Sequence, residues 1–91
     1  MIRNVLFVDD DKEMLQALKE GLDKFKDTFS VVLAEDGTDA VNKLKQNSIS
    51  LVVTDLKMPN MDGFSLLAHL MEKYPDVHII IIRVYWTIQL K

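Results

Sequence analysis

Residues 5–11 are Val5-Leu6-Phe7-Val8-Asp9-Asp10-Asp11, a short apolar run that passes directly into three acids. A second stretch has the same design, because Leu51-Val52-Val53-Thr54 runs into Asp55. Short apolar runs followed by a helical pattern are typical of buried parallel strands. A carboxylate at the end of such a strand lies at the carboxyl edge of the sheet, where open α/β folds bind ligands. If the two strands are neighbours, Asp9, Asp10 and Asp55 share one acidic pocket that suits a hard divalent cation and a phosphoryl group.

The rest of the chain alternates strands with helices. Strands are predicted at 2–8, 29–34, 49–54 and 77–82. Apolar residues at helical spacing predict three helices between them, with Asp11 at the start of the first. The apolar residues of the three helices are, in order, Met14, Leu15, Leu18, Leu22 and Phe25; Ala40, Val41 and Leu44; and Phe64, Leu67, Leu70 and Met71. Thr38 or Asp39 is predicted to cap the N-terminus of the second helix. This alternation predicts an α/β fold with a doubly wound parallel sheet.

Composition narrows the class of protein. Ninety-one residues correspond to one small domain. The net charge of -3, with eleven dispersed basic residues, argues against nucleic-acid binding by this chain. There is no cysteine for disulfide or thiolate chemistry. The N-terminus lacks the pattern of a signal peptide, and the longest apolar run, 79–82, is too short to cross a bilayer. These features predict a cytoplasmic protein without a membrane partner.

Three motifs together resemble the receiver domain of bacterial two-component response regulators, a flavodoxin/CheY-like fold. They are the strand ending in Asp9-Asp10-Asp11, the strand ending in Asp55, and the loop Lys57-Met58-Pro59-Asn60-Met61-Asp62-Gly63. The spacing between Asp10 and Asp55 (55 − 10 = 45) also matches the family. The resemblance covers residues 1 to about 82, nearly the whole chain.

The resemblance implies a role for each acid. Asp55 would accept the phosphoryl group, Asp10 would bind Mg²⁺ (or Mn²⁺) directly, and Asp9 would assist, often through water. The backbone carbonyl of Lys57 would be a further metal ligand. The implied donor is a sensor histidine kinase, a phosphotransfer protein or a small phosphodonor. The implied activity is at most self-phosphorylation and self-dephosphorylation, not that of an enzyme. Without the cation, clustering three carboxylates should raise some of their pKa values, because like charges disfavour ionisation.

The end of the sequence departs from the family pattern. Receivers usually continue to a fifth strand and two more helices, so a single incomplete domain over 1–91 is expected. Arg83 stands where the family has Thr or Ser, and it is a possible phosphate contact. Residues 83–91 alternate apolar and polar side chains, which predicts a β-like tail. A homodimer through an exposed sheet edge or this tail is therefore expected.

Two other functions remain open at this point. The first is a phosphorylation-incompetent receiver remnant that acts as a dimerisation or interaction module. The second is a phosphohydrolase with an aspartyl-phosphate intermediate, similar to haloacid dehalogenases. That family carries a second Asp two residues after the nucleophile, whereas this chain has Lys57 there. The sequence therefore favours the phosphorylated receiver, and Mg²⁺-dependent phosphorylation of Asp55 would separate it from the inert module.

Overall fold

The fold comes from a computed structural model, which describes residues 3–55 and 63–82. Four strands form one sheet in the order β2-β1-β3-β4. The strands are β1 (Arg3–Val8), β2 (Phe29–Ala34), β3 (Ile49–Asp55) and β4 (His78–Ile82), and all three pairings are parallel. The helices are α1 (Lys12–Gly21), α2 (Gly37–Gln46) and α3 (Gly63–Lys73), with a 3₁₀ turn at Asp23–Phe25. The predicted parallel α/β sheet is confirmed.

The main core lies between the sheet and helices α2 and α3. Leu6 and Val52 from the central strands are fully buried there. They pack with Leu66 and Leu70 of α3, which are also fully buried, and with Leu44 of α2. Burial of this apolar surface is the dominant favourable term in folding, and it holds β1 beside β3. The carboxyl ends of these two strands carry the acids.

Helix α1 is shorter than its apolar pattern predicts. It ends at Gly21, and the 3₁₀ turn that follows separates Phe25 from the helix. The ring of Phe25 instead stacks on Phe29, with centroids 5.9 Å apart. Phe25 and Met14 are 41% and 48% exposed, so these two members of the predicted apolar set are not buried.

The cap of α2 also differs from the prediction. Asp36 precedes the helix, and its Oδ1 accepts the N–H of Asp39 at 2.7 Å. Asp39 returns a bond, because its Oδ2 accepts the N–H of Glu35 at 3.2 Å. This reciprocal arrangement is a variant of the capping box. The cap is therefore Asp36 rather than Thr38 or Asp39.

Helix α3 is rotated relative to the predicted face. Leu66 and Leu70 are fully buried, but Phe64 and Met71 are each 66% exposed. Phe64 and Met71 are seven positions apart and share one side of the helix, away from the core. The apolar set predicted for this helix therefore does not correspond to its buried face. No helix in the described part of the chain is long and apolar enough to cross a membrane.

Candidate functional site

The central strands place Asp9 and Asp55 side by side. β1 and β3 are neighbours in the sheet, and Val8 lies opposite Thr54 in their register. One residue further on, the two strands reach Asp9 and Asp55. The N–H of Asp9 donates to the carbonyl of Ala34 at 3.1 Å, which continues the ladder between β1 and β2. The backbone of Asp9 is therefore fixed by the sheet, although the residue lies outside β1.

Asp9, Asp10 and Asp55 form the acidic pocket that the sequence predicts. One carboxylate oxygen from each residue lies within 4.8 Å of the other two. Asp9 and Asp55 are half-buried, whereas Asp10 is exposed. Three carboxylates at this separation present several oxygen ligands to the same small volume. Such a site fits Mg²⁺, which binds through a few carboxylates and keeps several water ligands.

Asp11 begins the helix and is not a member of the acidic pocket. Its Oδ1 accepts the N–H groups of Glu13 and Met14 at 3.0 and 3.1 Å. Its own N–H donates to Oδ1 of Asp9 at 2.9 Å. The backbone N–H of this capping residue therefore holds one carboxylate oxygen of Asp9 in place at the start of α1. The prediction that Asp11 belongs to the helix start is confirmed.

Thr54 is a buried packing residue, and it also has a contact that sequence reasoning missed. Its side chain is 1% exposed, and its Oγ1 donates to the backbone carbonyl of Asp55 at 2.9 Å. This bond restrains the backbone of the residue that carries the third carboxylate. A hydroxyl residue within an apolar strand is the only sequence signal for it.

Burial and neighbouring charge raise the pKa of the Asp9 carboxyl above its ordinary value of 3.8. Burial is the largest cause, and the negative charges of Asp55 and Asp10 act in the same direction. The bond from the Asp11 N–H opposes them, because it favours the charged form. The predicted rise is thus found at Asp9, but desolvation rather than like-charge repulsion is its main cause. A bound cation would offset both the desolvation of the Asp9 carboxylate and its repulsion by the other two acids.

Two other predicted site residues lie outside the described residues. They are Lys57, whose carbonyl was expected to bind the metal, and Arg83, the possible phosphate contact. The β-like tail at 83–91 also lies outside them. The structure therefore brings together three of the five predicted site residues, Asp9, Asp10 and Asp55.

Residues 5–90 match the family model described as the response regulator receiver domain. The chain belongs to this family. Receiver domains act in two-component signalling, where their general function is phosphorylation on an aspartate. They bind Mg²⁺ at an acidic pocket, interact with sensor histidine kinases or phosphotransfer proteins, and are mostly non-enzymatic signalling modules. The receiver hypothesis is confirmed, and the inert interaction module is not favoured.

The transcriptional regulatory protein GlrR of Escherichia coli K12 is a similar curated protein. It is 35% identical over 85 residues, which are 93% of this chain and 19% of GlrR. This chain therefore spans about a fifth of the length of that relative.

Two solved structures resemble the fold. The signal receiver domain of an HD domain-containing protein from Pseudomonas fluorescens has a TM-score of 0.87 at 27% identity, covering 97% of this chain and 69% of that one. The response regulator TrrA of Thermotoga maritima, in complex with Mg²⁺-BeF, has a TM-score of 0.81 at 28% identity. That likeness covers 93% of this chain and 72% of TrrA.

Proposed function

We propose that Asp55 is the phosphoacceptor of this receiver and that Asp9 and Asp10 bind Mg²⁺ (or Mn²⁺) beside it. The observation that carries the proposal is the meeting of the three carboxylates within 4.8 Å at the carboxyl ends of β1 and β3. Among these three, Asp55 is the acid that ends the second central strand. The Mg²⁺-BeF complex of TrrA supports a metal-dependent site in a protein of the same fold.

The chemistry explains why the two other acids are needed. A carboxylate that attacks a phosphorus atom meets repulsion from the negative phosphoryl oxygens. When Mg²⁺ is bound, it supplies the positive charge that offsets this repulsion, so catalysis rests on positioning and charge neutralisation. The cap at Asp11 and the hydroxyl of Thr54 restrain Asp9 and Asp55 through hydrogen bonds of 2.9 Å. Both acids are therefore held in place before the metal and the phosphodonor arrive.

The implied donor is a sensor histidine kinase or a phosphotransfer protein. The chain's own activity would be limited to accepting the phosphoryl group and losing it to water. We further place this chain in the cytoplasm, where ATP-dependent kinases generate such donors. The carbonyl of Lys57 and the guanidinium of Arg83 remain proposed contacts of the metal and the phosphate, and 1–91 remains a proposed single domain.

We also propose that the chain forms a homodimer. Three isoleucines of β4 support this proposal, because Ile80, Ile81 and Ile82 are 50%, 39% and 44% exposed. Apolar side chains of this size on consecutive positions of one strand favour association.

Phosphorylation is tested by intact mass after incubation with acetyl phosphate, with and without Mg²⁺. The expected result is a gain of one phosphoryl group that requires Mg²⁺ and is lost in Asp55→Asn. Asp27→Asn is the matched control, because Asp27 is exposed and lies outside the acidic pocket. A folded wild-type protein that gains no mass, or a gain that persists in Asp55→Asn, would contradict the proposal.

A further inference from the structure

Thr54 is an exception within the core. Among the described residues it is the only polar or charged one that is buried, with 1% of its surface exposed. Side chains alternate along a strand, so Thr54 lies on the same face of β3 as Val52, which is fully buried in the main core. A buried hydroxyl is unfavourable unless it forms a hydrogen bond, whereas a valine side chain has nearly the same shape and carries no polar group. Packing alone therefore favours valine over threonine at this position.

The hydroxyl of Thr54 bonds to the backbone of the next residue, which carries the acid. Its Oγ1 donates to the carbonyl of Asp55 at 2.9 Å. The covalent path between these two oxygens passes through the Cα of Asp55, so the bond closes a small ring that contains the φ and ψ angles of Asp55. These two angles are the soft backbone dihedrals of a residue. The bond therefore limits the direction in which the Asp55 side chain leaves the strand.

This restraint lies at the end of the strand. The register between β1 and β3 ends at Val8 and Thr54, and β3 itself ends at Asp55. The ends of secondary-structure elements open more readily than their middles. A reacting carboxylate needs a defined position, because a displacement of about 1 Å can lower a rate by about 100-fold. The bond from Thr54 thus acts at the residue where a loss of backbone order would affect the reaction most.

We infer that Thr54 is a positioning residue for the reaction of Asp55, because its hydroxyl holds the backbone from which the carboxylate attacks. This inference rests on the proposed function of Asp55 and adds to it a requirement for the hydroxyl of Thr54. With acetyl phosphate, a carboxylate oxygen of Asp55 forms the new bond to phosphorus while the bond from phosphorus to the acetate oxygen breaks. Acetate leaves with the electron pair of that bond. The Thr54 hydroxyl transfers no proton in this step and acts through the backbone of Asp55.

Two variants separate the hydroxyl of Thr54 from its packing. Thr54→Val removes the donor and retains the shape, so its urea midpoint should stay near that of wild type, because the lost bond and the added apolar contact oppose each other. Its phosphorylation should nevertheless slow at least about tenfold. Thr54→Ser retains the donor and removes a methyl group from the core, so its urea midpoint should fall while its rate stays close to that of wild type. Val52→Ala is the control for lost packing, because it removes apolar volume from the same face of β3 and leaves the hydroxyl in place.

The rates are measured by intact mass with acetyl phosphate in saturating Mg²⁺, at a temperature where circular dichroism shows every variant folded. In Thr54→Val the Mg²⁺ affinity, measured by titration calorimetry, should fall less than the rate, because Asp9 and Asp10 are unchanged. A Thr54→Val variant that reacts at the wild-type rate would overturn the inference and leave Asp55 as the phosphoacceptor. Rates that follow the urea midpoints across the three variants would give Thr54 a structural role alone and would also overturn it. A wild-type chain that gains no phosphoryl group would overturn the proposed function, and this inference with it.

Discussion

Replacing Asp9 with Asn should stabilise the metal-free protein at neutral pH, although it removes a residue of the proposed metal site. The reason is that Asp9 is half-buried beside two other carboxylates, and its pKa is raised by burial and by their charge. Asn removes the charge while its side-chain oxygen can still accept the N–H of Asp11, as Oδ1 of Asp9 does at 2.9 Å. The cap at α1 should therefore survive.

The magnitude follows from the separation of the acids. Two unit charges at the limiting distance of 4.8 Å repel by about 0.9 kcal/mol in water. Physiological salt, with a Debye length of about 8 Å, reduces this to roughly 0.5 kcal/mol. Asp9 takes part in two such pairs, so its neutralisation should stabilise the fold by about 1 kcal/mol. For a domain of this size, that corresponds to a rise in Tm of about 4–8 °C.

The extra stability of Asp9→Asn over wild type should depend on pH and on Mg²⁺. A carboxyl whose pKa is raised in the folded state retains its proton where the unfolded chain has lost it, so stability falls as pH rises through that interval. The advantage of Asp9→Asn should thus be full at neutral pH and disappear below the ordinary pKa of 3.8. Mg²⁺ at about 100 times its Kd adds about 2.7 kcal/mol to a protein that binds it, so wild type should gain more than the variant.

The assay is urea unfolding in EDTA and in MgCl₂, at neutral and acidic pH. Asp27→Asn controls for the change in net charge, because it removes one exposed carboxylate outside the pocket. An Asp9→Asn variant that is less stable than wild type in EDTA would refute the electrostatic reasoning. Equal stabilisation of both proteins by Mg²⁺ would refute the assignment of Asp9 to the metal site.

Two further predictions concern the helices. Leu70→Ala should cost about 3 kcal/mol, because Leu70 is fully buried; its neighbour Met71 is 66% exposed, so Met71→Ala should cost less than about 0.5 kcal/mol. Equal losses of stability in the two variants, measured by thermal unfolding, would contradict the observation that Leu70 lies on the buried face of α3 and Met71 on its exposed face. Asp11→Ala should lower the free energy of unfolding by about 1 kcal/mol through loss of the cap, whereas Asp11→Asn should retain most of the cap's contribution. Asp11→Asn should also leave the Mg²⁺ affinity, measured by titration calorimetry, nearly unchanged. A large loss of Mg²⁺ affinity in Asp11→Asn would place Asp11 in the metal site.

The site was predictable from the sequence because its parts are local. The apolar runs ending in Asp9 and Asp55 predict strands, and parallel strands end at a common edge of the sheet. The three acids were therefore expected together, and the structure places them within 4.8 Å. The fold class followed from the same alternation of strands and helices.

Helix faces and caps were less predictable, because they depend on tertiary packing. Phe64 and Leu66 are both apolar residues of α3, and only the position of the sheet decides that Leu66 is buried and Phe64 exposed. The sequence predicted Thr38 or Asp39 as the cap of α2, but the structure has Asp36 there, because its side chain is the one that reaches the N–H of Asp39.

The sequence by itself determined the order of strands and helices and the acids at their ends. The tertiary structure alone decided how far each acid is desolvated, which explains why burial dominates the raised pKa of Asp9. It also decided that the Lys43 ammonium reaches the carbonyl of Leu33, because these residues are ten positions apart in the sequence. Periodicity along a chain reports which side chains are apolar. The solvent exposure of those side chains depends on which other segments pack against them.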